Sequence, residues 1–138
     1  MTPLRVAIIV FLAASIQAKP LDPPPTDAQL REWAGDELAR ASKRSHLDYV
    51  GALERAIRKQ PAGLAAIFHY TVDGDTDGAA GEAHAAILFG LLQRWGDKRF
   101  AQVLRSQKLP VRKAVIDSIG WPEGSRSRFP LTNASAAR

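Results

Sequence analysis

Asp73, Asp75 and Asp77 are the residues of this chain whose types and spacing could do chemistry. They stand at alternate positions in Asp73-Gly74-Asp75-Thr76-Asp77-Gly78, and the glycines let the segment turn sharply. Alternation allows three oxygens to converge on one hard cation, so the chemistry would be calcium binding. The competing reading is a polar turn rich in Asp and Gly, with Thr76 or Asp77 near the start of a helix.

The six residues resemble the first half of an EF-hand loop, and helices are expected on both sides. The second half departs from that pattern. The twelfth position, where a bidentate glutamate belongs, is His84, a poor calcium ligand. The eighth, usually apolar, is Ala80, and Glu82 falls two residues early. A second metal option uses the histidines. His69 and Asp73 are four apart at a helix end, and with His84 and Asp75 or Asp77 they would form a His/Asp zinc set. The plainer alternative is unrelated histidines, each an ordinary polar or core residue.

Hydrolytic chemistry has less behind it. The chain has no G-x-S-x-G turn, no H-E-x-x-H helix and no glycine-rich phosphate loop. Glu82 and His84 are two apart and point to different sides of a helix. Two distant carboxylates could still meet in a cleft, as in glycosidases. Trp33, Trp95 and Trp121 could make a sugar-stacking surface. Trp33 and Trp95 are expected in the core instead, and Trp121, just past a helix end, partly exposed. Asn133-Ala134-Ser135 is a glycosylation sequon.

The elements that must position these groups are helices. Thr26 and Gln29 fit a capping box, and Leu30, Trp33, Ala34, Leu38 and Ala41 recur at helical spacing. Ser45 is expected to cap a second helix with the stripe Leu47, Val50, Leu53 and Ile57. Pro61 opens a third, with Leu64, Ile67, Phe68 and Val72 inward. The fourth has the strongest pattern: His84, Ile87, Leu88, Leu91 and Trp95, widened by Leu92, which marks it as the central helix of the core. Gly96 suits its end, and Asp97 suits the cap of a short fifth helix bearing Phe100, Val103 and Leu104. Pro110 opens a sixth, facing Val111, Val115, Ile116 and Ile119 inward and ending at Gly120. No run of alternating apolar residues suggests a strand.

The segment Gly96 to Gly120 resembles one HEAT-type unit. It offers a short helix, a tight turn and a second helix reading Val111-Arg112-Lys113-Ala114-Val115-Ile116-Asp117-Ser118-Ile119-Gly120, close to the VRxxA…LG pattern of such helices. No second copy stands upstream. The resemblance implies a helical binding scaffold rather than an enzyme.

Residues 1–18 bear on destination. Arg5 supplies a positive start, Val6 to Ile16 an apolar run, and Ala18 a small residue at a cleavage position. That is the pattern of a secretory signal peptide, too short to span a bilayer; a buried helix or an uncleaved anchor is the alternative. Lys19 to Pro25 (KPLDPPP) is a stiff, extended lead. The remaining 120 residues are enough for one modest core, and with no cysteine, packing alone must hold it. The absence of disulfides in an exported chain points to a bacterial periplasmic or secreted protein. The net charge is +5, and Arg5 is the only charged residue of the first 18. Arg58, Lys59, Arg105 and Lys108 fall where helices are expected to end, and Lys43 and Arg44 just past another end. Cations there complement the helix dipole, so the basicity reads as a solvated surface rather than a nucleic-acid footprint.

The sequence therefore predicts an all-α fold: a compact array of about six short antiparallel helices, HEAT-like in its C-terminal half. It divides into a signal peptide (1–18), the proline-rich lead (19–25), one helical domain (26–121) and a flexible tail (122–138). The expected function is an exported, non-enzymatic protein that binds a macromolecular partner, another protein rather than nucleic acid. It would act as an inhibitor, an immunity-type protein or an envelope adaptor, with no membrane span after signal cleavage. The alternatives are a calcium-modulated module built on Asp73, Asp75 and Asp77, and a cell-wall hydrolase. No catalytic residue and no cofactor other than calcium are singled out.

Overall fold

A computed structural model describes residues 20–137, so the expected signal peptide lies outside the described residues. The described chain is all-helical and compactly packed. Six main helices, α1 (Asp27–Arg44), α2 (Tyr49–Ile57), α3 (Pro61–Asp73), α4 (Gly78–Trp95), α5 (Asp97–Arg105) and α6 (Leu109–Ser118), precede a short α7 (Pro130–Asn133). No helix among the described residues is long and apolar enough to cross a membrane.

Local chemistry sets most of the boundaries. At the start of α1 the Thr26 hydroxyl accepts the Gln29 amide (3.1 Å), and the Gln29 side chain accepts the Thr26 amide (2.9 Å). This is the capping box that the sequence predicts. Gly35 then adopts φ +48° and ψ −171°, kinking α1 after its second turn, a conformation that a Cβ would disfavour. The second boundary differs from expectation. Asp48, not Ser45, caps α2, its carboxylate accepting the Gly51 amide at 2.9 Å. Ser45 closes α1 instead, and His46, at φ +56°, breaks the chain between the two helices. Pro61 opens α3 and Gly96, at φ +79°, closes α4, both as expected.

α2 and α3 fold back on each other as the most extensive helix pair, α1 lies along α4, and α3 also packs on α5 and α6. α4 supplies the centre of the core. Ile87, Leu88, Leu91 and Leu92 are fully buried, each worth about 1.5–3 kcal/mol of transfer free energy. Trp95 is buried too, and its indole N–H donates to the Ala56 carbonyl at 3.0 Å, joining α4 to α2. Phe68 and Phe100 meet edge to face at 5.0 Å between α3 and α5. The last two helices depart from the HEAT resemblance. In such a unit they would lie side by side, whereas α5 and α6 share little contact and both lean on α3.

The expected loose tail is the largest correction. Residues 126–128 and 134–136 form 3-10 turns on either side of α7; α7 packs on α5, and the 134–136 turn packs on α6 and α5. The cause is a long-range cap. Asp97, expected to cap α5, instead accepts the backbone amides of Leu131 (2.9 Å) and Thr132 (2.8 Å) at the start of α7. Arg112 adds a bond to the Ser135 carbonyl at 3.0 Å, and Phe129 packs against Phe89 at 5.7 Å. Asp97→Ala orphans both α7 amides and should destabilise this end by about 1 kcal/mol. Amide hydrogen exchange at Leu131 and Thr132 should then quicken about fivefold, with Leu88 and Leu91 unchanged. Equal protection in the variant would show that Asp97 does not hold the tail.

Candidate functional site

The acidic loop is tied to the end of α1. Asp75 pairs with Arg44 at 2.8 Å, and this bond lowers its carboxyl pKa. Its other carboxylate oxygen accepts the Asp77 amide (3.1 Å), its own amide donates to the Ser45 hydroxyl (3.2 Å), and its carbonyl accepts the Tyr70 hydroxyl. Asp75 thus has an arginine where a cation would sit. No group of three or more His, Cys, Asp or Glu side chains able to hold a metal occurs among the described residues. The structure therefore does not bring Asp73, Asp75 and Asp77 together as a cation site.

Nor do the two histidines meet. His69 lies on the exposed side of α3, its Nε2 3.0 Å from the Gln107 side-chain oxygen. His84 is turned into the core at 1% exposure. Its Nδ1 is 2.8 Å from the Tyr49 hydroxyl on α2 and its Nε2 is 2.8 Å from the Thr71 hydroxyl on α3. Tyr70 approaches edge-on, with ring centroids 5.1 Å apart. Burial disfavours the imidazolium and pushes the His84 pKa down to about 4, and it raises the Tyr49 pKa well above the usual phenol value. Two neutral rings with both imidazole nitrogens engaged form a structural junction, out of reach of a substrate.

The best-formed cleft lies elsewhere, at a place the sequence reading passed over. It encloses about 490 Å³ between the proline-rich lead, α1, α4 and the turn after α6. Pro20, Pro23 and Pro25 form one wall, Trp33 and Phe89 another, and Pro122 closes the far side. The lead is held by side chains of α4. Gln93 donates to the Asp22 carbonyl at 2.9 Å, and Arg94 donates to the Pro25 carbonyl at 3.2 Å and pairs with Asp27. Gly90 makes this docking possible. A Cβ there would stand 2.8 Å from Pro25 Cγ and 3.3 Å from Trp33 Cζ3. Trp33, expected in the core, is 39% exposed, whereas Trp95 is 5% exposed. Trp121 is partly buried, as expected, donating to the Ile116 carbonyl at 2.9 Å and packing on Phe89 and Phe129. Asp22 and Glu123 give the cleft an acidic rim on a basic chain. The available signal was the proline run ahead of a tryptophan-bearing helix.

No family model, no curated protein and no solved structure matches the chain.

Two outcomes follow from this geometry. Between about pH 6.5 and 4 the unfolded chain takes up a proton at His84 that the folded chain refuses, so stability falls as pH falls through that window. From pH 7 to 4.5 the wild type should lose about 2–3 kcal/mol more than His84→Gln in urea denaturation. Parallel losses in the two proteins would refute a neutral buried histidine. At the acidic loop, calcium should shift the melting temperature no differently from magnesium at equal ionic strength, because the Arg44 guanidinium already balances Asp75. Asp75→Asn should lower the melting temperature without any metal. A calcium-specific rise, reversed by chelator, would restore the loop as a calcium site.

Proposed function

We propose that this chain is an exported, non-enzymatic binding protein that grips an extended segment of a partner protein in the cleft beside Trp33. The observation that carries the reading is the exposure of Trp33, 39%, on the wall of a proline-lined cleft. Aromatic- and proline-lined grooves suit extended peptide segments, and tryptophan is enriched among the residues that dominate binding energy. The acidic rim of Asp22 and Glu123 favours a segment bearing Lys or Arg. A binding role also fits the interior, where the most perturbed titratable groups, Tyr49 and His84, are bonded to each other.

Export belongs to the same reading. Cleavage after Ala18 makes Lys19 the first residue, one position before Pro20 of the cleft wall. The working surface is then the amino-terminal end of the mature protein, in a bacterial periplasm or outside the cell. Inhibitor, immunity-type protein and envelope adaptor all act by such contacts.

The test is a photo-crosslinking residue at position 33, compared with one at the exposed Lys113 of α6, in the exported protein of its own cells. One dominant adduct at position 33, on a protein whose first residue is Lys19, is expected. In an unlabelled competition, Trp33→Ala should fail to displace the partner while melting within a few degrees of wild type, since truncation of a part-exposed side chain is mild. Equal adducts at both positions, or displacement by Trp33→Ala, would remove the cleft from the function.

A further inference from the structure

A second groove runs between α3 and α5, separate from the cleft beside Trp33. It holds about 420 Å³, within the range of small-molecule sites. Its α3 wall is low because Ala62 and Ala65 are small. Its α5 wall carries Arg99, Gln102 and Ser106, one face of the helix at successive turns. One turn beyond Ala65 the helices are bridged by the His69–Gln107 hydrogen bond, and Gln107 also donates to the Ser106 hydroxyl at 3.0 Å. At the opposite end stands Trp95.

Charge distinguishes this groove from a bare apolar one. The Arg99 guanidinium carbon lies 5.4 Å from the centroid of Trp95, and the Lys59 ammonium lies 5.5 Å from it. Lys59 is held at a lowered pKa by burial first and then by the positive fields of Arg94 and Arg99. Arg94 is already paired with Asp27, and Asp97 is already committed to α7. Arg99 forms no ion pair among the described residues, and none of the residues lining the groove is acidic. A guanidinium lying on an indole keeps its N–H fork available for a planar, two-oxygen anion.

We propose that the α3–α5 groove binds an amphipathic carboxylate. Arg99 takes the carboxylate, with Gln102 and Ser106 beside it, and the apolar body lies over Ala62, Ala65 and Val103. The groove is too shallow in polar groups for a sugar or nucleoside, and its one unpaired cation sets the sign of the ligand. This site is independent of the cleft at Trp33.

Decanoate, decanol and decylamine are the probes, titrated calorimetrically into the purified protein. Decanoate should bind at one saturable site, and decanol, which lacks the charge, at least about tenfold more weakly. Arg99→Glu should reverse the order, so that decylamine binds more tightly than decanoate. Ala65→Phe fills the groove and should abolish decanoate binding. Amide shifts on adding decanoate should centre on Ala62, Ala65, Arg99 and Ser106. Equal affinity for decanoate and decanol would overturn the proposal. So would an unchanged order in an Arg99→Glu protein that melts like wild type, shifts centred on Gln29 and Gln93, or no saturable heat at millimolar decanoate.

Discussion

The junction of Tyr49, Thr71 and His84 is the constraint on which the rest of the arrangement depends. Each residue comes from a different helix, α2, α3 and α4: the Tyr49 and Thr71 hydroxyls each bond one ring nitrogen of His84, with Tyr49 and His84 buried and Thr71 partly so. An apolar contact tolerates sliding; this one does not. A shift of one helix by a turn would leave a buried hydroxyl or ring nitrogen without a partner, which costs about 1–3 kcal/mol per group. The junction therefore fixes the register of three helices, while Leu88, Leu91 and their neighbours supply the bulk of the burial. Tyr70 extends it outwards. Its ring packs on Tyr49 at 4.9 Å, and its hydroxyl reaches the Asp75 carbonyl. From there Arg44 and Ser45 carry the connection to α1. The acidic loop belongs to this framework as a staple between helix ends.

With the interior fixed in this way, the two clefts lie at the periphery, and their linings differ in chemistry. The lead, Trp33 and Phe89 present proline and aromatic surface under an acidic rim. The α3–α5 groove presents alanine floor and a guanidinium. Both depend on small residues: Gly90 lets the lead dock against α4 in one, and Ala62 and Ala65 keep the α3 wall low in the other. A chain with an excess of cations spread over its surface thus carries local regions of opposite preference.

How much of this was legible in the sequence depended on range. The Thr26–Gln29 box, the proline start of α3, the α4 stripe and the Gly96 stop are signals confined to a few residues, and each appears where the sequence predicts it. Ser45 and Asp48 are both good capping types three residues apart, and spacing alone does not choose between them. Trp33 lies three residues after Leu30, but the buried stripe runs Leu30, Ala34, Leu38, leaving the indole at its edge. Asp97 looked like a cap for the helix it begins; its true partners are more than thirty residues later. For the same reason the tail, rich in Ser, Arg and Pro, read as loose: what orders it is a carboxylate far back in the chain. The proline-rich cleft likewise joins the lead and the start of α1 to α4 and to the turn after α6, which no short window of sequence contains.

The clasp between Asp97 and the start of α7 has a consequence for the order of assembly. A chain is synthesised from its amino terminus, and the two amides that Asp97 accepts belong to Leu131 and Thr132, more than thirty residues later. α1 to α6 can collapse while the chain is still growing, but the clasp cannot close until residue 132 has been made. Until then the outer faces of α5 and α6 lack their cover. A chain that stops before residue 131 therefore carries the helical core without this latch.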